Sequence, residues 1–474
     1  MTTDVTAVPT PRARWVIMGE LVLRTGTHLG GGDSGTADLC VLRHRGTGLP
    51  LLTGSSLAGA LRSHLSDRLT GYFSDEPSEV AALFGSPSGD DTGGQGPLVV
   101  YDTLGDAPAV EIRDGVALGS ATGLAADHKK FDAEVLAAGT RFPIRIDLLV
   151  AGEDHERTTL PLLAAALSGL TDGDVRLGAR TSRGLGACTV ENWRAHRFTL
   201  ADEDGWMQWL AADATNPVAH VEPTPDIVTA CELERELLPG DNRRRAVLDA
   251  NLELAAELLI RSPSLRGDGP DVAHLRSGGD PVMTGTGAAG AMRAQAARIG
   301  HLLGGQNTAQ WIDSLFGPQL GAGSEDSDAR ASRVRVDEAT ILGSSARTTR
   351  TAIDPFTSGV RRSALYQDEP LIAGTFTLRL EIRNPDDADV GLILLVIKDL
   401  LDGNLALGGT TSIGRGVMRG SATLRWDNNT IHLHPGGEGM SNDHLVTVDT
   451  LISAVGAPHS DAAHPPSQPS RVAS

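Results

Sequence analysis

Apolar and polar residues alternate through TRFPIRIDLLV at 140–150 and GTFTLRLEIR at 374–383, the period-two pattern of a strand with one buried face. The runs RWVIMGELVLR at 14–24 and DANLELAAELLIR at 249–261 predict further strands. Shorter extended runs follow at GPLVVYD, 96–102, and SRVRVDEATI, 332–341. Helical stretches are predicted at LPLLAAALSGL, 160–170, and VGLILLVIKDLL, 390–401, and at TGSSLAGALR and TGTGAAGAMR, each of which reads as a turn entering a helix.

These elements come in pairs because the chain repeats itself. TGSSLAGALR at 53–62 recurs as TGTGAAGAMR at 284–293, Leu83-Phe84-Gly85 as Leu315-Phe316-Gly317, EVLAAGTRF as EPLIAGTF, and LGARTSRGLG at 177–186 as LGGTTSIGRG at 407–416. Four matches in one order, each offset by about 230 residues, identify a tandem duplication. Each half reads strand, helix, strand, strand, helix, strand, with a long polar insertion in the middle. That is the order of a ferredoxin-like α+β unit. The boundary is placed between about residues 200 and 230, where the tract at 212–226 is rich in Pro, Ala and polar residues. The expected organisation is a first domain at 1–200, a linker at 201–229, a second domain at 230–430 and a C-terminal extension at 431–474. The tail from about Ala454 is expected to be disordered. The acidic tracts at 86–96 and 321–329 are expected to be mobile loops.

Composition narrows the function. Aromatic residues are only 4%, so gripping a ligand by aromatic stacking is disfavoured, and binding must rest on backbone and polar groups. The net charge of −19 counts against non-specific nucleic-acid binding, yet a local basic groove can still hold a polyanion, so the placement of the 41 Lys and Arg decides the matter. Cys40, Cys188 and Cys231 have no paired spacing, which argues against a disulfide framework and a cysteine zinc site and points to a reducing, cytoplasmic setting. Neither a secretory h-region nor an apolar run of membrane-spanning length is present. A metabolic enzyme using its glycine loops for a nucleotide is disfavoured, because neither G-x-G-x-x-G after a strand nor G-x-x-x-x-G-K-[ST] occurs.

The combination of TGSSLAGALR, a later F-x-x-E run at 131–134 and the closing LGARTSRGLG resembles the RAMP superfamily of CRISPR-associated proteins, in both halves. The opening HLGGGD at 28–33 followed by GLPLLTGSSLAGALR most resembles backbone subunits of type III effector complexes. The resemblance implies two tandem ferredoxin-like (RRM-like) RAMP domains with long insertions. It further implies guide RNA (crRNA), complementary target RNA and other type III CRISPR subunits as partners, and an endoribonuclease assisted by Mg2+ (or Mn2+). In that family the Asp after His-x-Gly-Gly is the cleavage and metal residue, which falls on Asp33; Asp268 lies roughly at the corresponding place of the second half, where Arg266 intrudes and the His is missing. Asp38 competes with Asp33, and Asp271 lines up with Asp38. His28 is a candidate acid or base. The alternative is an inert guide-binding scaffold. Guide processing would need a histidine-based site, to which nothing points strongly.

Candidate RNA contacts follow from residue chemistry. The glycines of the closing turns permit tight loops, and Arg180, Thr181, Ser182 and Arg183, with Thr411, Ser412 and Arg415 in the second copy, can reach phosphate oxygens. Ser55, Ser56 and Thr286 open helices whose N-termini attract anions, with Arg62 and Arg293 further along the same helices or, alternatively, bonded to the glycine turn of their own domain. The insertions carry His128, Lys129, Lys130, Arg347, Arg350, Arg361 and Arg362. In the resembling family this region is a thumb-like hairpin that flips a guide base, for which Phe131 and Phe356 are candidate wedges or, equally, anchors of the loop.

Overall fold

The computed structural model describes residues 10–31, 37–86, 94–106, 110–118, 125–263, 269–303, 307–319, 330–435 and 442–455. The chain folds as two compact units, each built on the predicted βαββαβ order.

In unit 1, strands β1 (Ala13–Leu23), β2 (Leu98–Val100), β3 (Arg141–Val150) and β4 (Cys188–Thr199) form one sheet in the order β2-β3-β1-β4, all pairs antiparallel. This is the ferredoxin-like arrangement. The register sets Ile17 opposite Ile146 on one side and Ala195 on the other. Helices α1 (Gly54–Thr70) and α2 (Glu153–Thr171) supply Leu57, Leu61 and Leu65 and Leu163, Leu167 and Leu170 to the core shared with Phe142, Ile144 and Leu148. The spacing of three and four residues puts each leucine set on one helix face. Helix α1 starts where Thr53 accepts the Ser56 amide at 3.2 Å.

Unit 2 repeats the plan with β5 (Arg245–Leu254), β6 (Val334–Val336), β7 (Leu371–Arg383) and β8 (Met418–Trp426), ordered β6-β7-β5-β8, and adds an edge strand β9 (Asn429–Leu433) beside β8. Helices α3 (Gly285–Leu303) and α4 (Asp387–Leu401) take the places of α1 and α2. A capping box joins Asp386 and Asp389 at the start of α4, and Asp389, fully buried, also accepts the Trp311 indole N–H at 2.8 Å and pairs with Arg333 at 2.8 Å. Helix α5 (Asn442–Val455) packs on α4, so this part of the C-terminal extension is helical. The predicted disordered tail beyond that point, and most of the two acidic tracts, lie outside the described residues.

The two compact units are each discontinuous in sequence. Unit 1 runs on through Arg243, and unit 2 takes in Ile112–Ala133 and Arg180–Leu185, two segments of the first repeat. The expected linker at 201–229 is folded on unit 1. A helix at Glu203–Ala211 and the segment after it cover the sheet face opposite α1 and α2, where Val16, Phe198 and Val218 are buried with Met18, Trp209 and Val221 against them. The tract shows no period because its apolar residues meet one small patch rather than forming a continuous face. Cys40, Cys188 and Cys231 are buried free thiols. No helix among the described residues is long and apolar enough to cross a membrane.

Candidate nucleic-acid interface

Three elements converge at the closing turn of each unit. In unit 1 the His28 carbonyl accepts the Ala179 amide at 3.0 Å, the Gly26 carbonyl accepts Gly186 at 3.1 Å, and Thr27 bonds through its backbone to Leu136 in the return strand of the insertion. The same stem pairs Gly31 with Cys40 and Leu29 with Leu42. Gly31 and Cys40 thus stand on either side of the segment 32–36. Asp33 itself lies outside the described residues. His28, buried, is held by the Glu134 carbonyl at Nδ1, 2.8 Å away, within this same junction.

Unit 2 reproduces the junction. Gly409 donates to Leu259 at 2.8 Å, Gly416 to Glu257 at 2.7 Å, and Leu258 pairs with Leu371. Leu275 donates to Ile260 as Leu42 does to Leu29, a register that sets Asp271 level with Asp38. The Asp271 carboxylate accepts the Gln367 amide at 2.8 Å. Asp268 also lies outside the described residues.

The two turns share a backbone and differ in charge. Arg180 and Thr410 open them with φ of 60° and 57°, and Gly184 and Gly414 close them with φ of 92° and 88°, left-handed conformations in which Gly avoids a Cβ clash. In the first turn Arg180 stacks over Phe131 at 4.2 Å, and Arg183 donates to the Phe316 carbonyl at 2.9 Å. No carboxylate among the described residues pairs with either guanidinium. Loss of solvation draws Arg180 below the ordinary arginine value; loss of solvation and then the Arg293 charge do the same to Arg183. Neighbouring cations without a counter-ion form an attractive site for an anion. The Arg183 carbonyl meets the start of α3, whose first turn has no acidic residue and whose Thr286 and Gly287 are exposed.

In the second turn Thr411, Ser412 and Ile413 are exposed, while Arg415, read from sequence as a phosphate ligand, is buried at 3% exposure. Its guanidinium donates to Glu257 at 2.9 Å and Asp368 at 2.8 Å, and Arg350, another predicted RNA contact, bonds Glu257 at 3.2 Å and sits 3.4 Å from Asp368. These two arginines neutralise two carboxylates inside the protein. At the matching positions of the first repeat stand Leu185, Gly26 and Ala133 for Arg415, Glu257 and Asp368. All three polar groups change together, a signal visible once the repeats are aligned by the turn.

Other predicted contacts are also committed internally. Arg62 forms a forked pair with Glu76, its Nε 2.7 Å from Oε2, and Arg293 pairs with Asp313 and the Gly317 carbonyl. Arg62 braces the turn after its own helix and Arg293 the end of the helix that follows, Thr308–Phe316, rather than the glycine turn. Ser55 and Ser56 are exposed at the start of α1, where Thr53 bonds both hydroxyls, at 3.1 and 2.8 Å. Thr181 and Ser182 are half-buried. Lys130 is 68% exposed, with Asp114 and Asp132 no closer than 3.7 Å; the Lys129 side chain lies outside the described residues. Arg361 and Arg362 are exposed on the second hairpin, Thr348–Ile353 with Val360–Glu369, and Arg347 is exposed just before it. The two candidate wedges part company. Phe131 packs on Gly115 and Arg180 within its hairpin, whereas Phe356, 95% exposed, stands at the tip of the second.

The sequence profile of the RAMP superfamily matches residues 20–189 and 253–419, one stretch in each repeat and well over half of the chain. No curated protein matches the sequence. Two ferredoxin-like units, each closed by a glycine turn seated on the stem of its opening loop, are what that double match describes, and the chain belongs to the RAMP superfamily.

Proposed function

We propose that this chain is a guide-RNA-binding backbone subunit of a type III CRISPR effector complex, and that it cuts the complementary target RNA. Superfamily membership supports a CRISPR-associated, RNA-binding role. The observation that carries the reading to particular residues is the Arg180–Arg183 turn, whose guanidinium groups lack a carboxylate partner among the described residues in a chain of net charge −19. Contacts of this kind hold an RNA backbone without reading its sequence, which is then left to base pairing with the guide.

Asp33 is proposed as the cleavage residue, and Asp268 as its counterpart. In-line attack by a 2′-hydroxyl needs a group to take its proton, and a carboxylate in a glycine-rich stretch suits that task. Mg2+ or Mn2+ is proposed with Asp33 from the family resemblance. Among the described residues no group of three His, Cys, Asp or Glu side chains could hold a metal ion. The neutral second turn, with Arg415 turned inward, favours the inert-scaffold reading for the second half.

The test is cleavage of a labelled RNA complementary to the guide by the assembled complex with Mg2+, comparing wild type, Asp33→Ala, Asp268→Ala and the double variant. Loss of one defined product per substitution, with RNA still bound, supports two cutting halves. Unchanged cleavage by the double variant makes the chain a scaffold.

A further inference from the structure

The helix at Glu203–Ala211 is apolar on two sides. Its inward side is spent on unit 1: Gly205 lies so close to the Thr199 carbonyl that a Cβ would fall 2.1 Å from the oxygen, and Trp209 meets the Phe198 ring edge-on at 5.1 Å with the Arg14 guanidinium 4.3 Å over it. Its outward side carries Trp206, Met207 and Leu210, which are 46%, 60% and 72% exposed. Leu210 lies three and four residues from the other two, so the three share one face, and Glu203 shares it with them. A helix apolar all round belongs between two covering surfaces, and among the described residues only the sheet of unit 1 covers it. The second repeat has no counterpart, because its closing strand β8 turns at once into β9. The helix is an addition to unit 1 and not part of the ferredoxin-like plan.

The surroundings of this face are strongly anionic. From 198 to 234 the chain carries eight Asp and Glu and no Lys or Arg. Asp202, Asp213 and Asp226 accept backbone amides of their own turns, and Asp226 also faces Arg235 at 3.5 Å. No Lys or Arg among the described residues pairs with Glu203, Asp204 or Glu222.

We propose that the Trp206–Met207–Leu210 face docks a basic amphipathic helix of a partner protein, which lays its apolar stripe on these three side chains and sets its Lys or Arg residues beside Glu203 and Asp204. Trp and Met are residue types enriched in interface cores, and the unbranched Met side chain adapts to the surface it meets. The nine-residue helix is about 14 Å long, which spans about two and a half turns of a helix laid along it. Charge selects the occupant. The same carboxylates repel RNA phosphates and an anionic lipid surface, and pairing this face with its own copy would bring like charges together. The inference does not depend on RNA.

The probe is a fluorescein-labelled synthetic amphipathic helix about 14 residues long, with leucines three and four residues apart flanked by lysines, compared with a glutamate-flanked version of the same leucine pattern. Each is titrated into the full, nuclease-treated chain and followed by fluorescence anisotropy. The lysine peptide is expected to bind at least about tenfold more tightly than the glutamate peptide, and Trp206→Ala and Leu210→Asp each to weaken it by about tenfold. Glu203→Lys with Asp204→Lys is expected to reverse the preference, a gain for the glutamate peptide that unfolding of the helix could not produce. Absence of lysine-peptide binding, equal binding of the two peptides, or binding indifferent to Leu210→Asp would overturn the proposal. So would a chain whose mass doubles with concentration in sedimentation velocity and returns to the monomer with Leu210→Asp, since the occupant would then be a second copy.

Discussion

Arg113, on the insertion hairpin of the first repeat, forms a forked ion pair with Glu338 of the second, Nη1 to Oε2 at 3.0 Å and Nη2 to Oε1 at 3.2 Å. Both side chains are nearly inaccessible, at 11% and 3% exposure, so the pair is held in a low-dielectric setting where removing one partner strands the other. Arg113→Met is expected to destabilise unit 2 by about 3 kcal/mol. Arg113→Met with Glu338→Gln should recover part of that loss. The measurement is urea unfolding of the single and double variants; a single variant as stable as wild type would exclude a buried pair.

Arg180 and Arg183 should bind backbone phosphates. Alanine at both is expected to weaken binding of all single-stranded RNA sequences alike, and to reduce the slope of log K against log salt by roughly 1.4, about 0.7 for each phosphate no longer neutralised. Arg415→Ala is expected to leave that slope unchanged, because its charge is already neutralised by Glu257 and Asp368. Filter binding across a salt series distinguishes the two.

The Glu257–Arg415–Asp368–Arg350 cluster should behave as one unit. Arg415→Leu alone leaves two carboxylates facing a single arginine and is expected to cost about 3 to 5 kcal/mol. Adding Glu257→Gly and Asp368→Ala installs the first repeat's residues at all three positions and should restore much of the loss. Thermal unfolding of the single and triple variants reports the coupling, and strictly additive losses would count against a network.

His64 makes unit 1 sensitive to acid. Burial, then the adjacent Arg243, pushes its pKa down from 6.5 to about 4, and Arg243 donates to Nδ1 at 3.3 Å, which requires the neutral ring. Since the unfolded chain takes up the proton first, the contribution is fully present above pH 6.5 and is lost as pH falls toward 4, a total of roughly 3 kcal/mol. His274 in unit 2, pushed down to about 4 chiefly by burial, behaves alike. Between pH 7 and pH 5, His64→Leu should lose roughly 2 kcal/mol less stability than wild type in denaturant titrations.

The duplication, the element order and the ferredoxin-like topology were legible because they rest on local pattern. Alternation in β3 and β7, the helix entry at Thr53, and the paired glycine turns each express a backbone or burial requirement met within a few residues. The fate of individual arginines was not legible. Arg62, Arg293, Arg350 and Arg415 look as available as Arg180 and Arg183 in a linear chain, but a guanidinium is disposed of by whichever carboxylate folding brings to it, often from far along the sequence.

The sequence by itself determined that there are two like units, where their strands and helices lie, and which turns close them, because hydrophobic period and glycine placement act over short distances. Only the tertiary structure decided that Ile112–Ala133 and Arg180–Leu185 belong to unit 2, that one turn is cationic and covered while its twin is neutral and bare, and which cations remain free to meet an anion. Those outcomes depend on packing and pairing between residues as distant as Arg113 and Glu338, and such pairings leave no period in the chain.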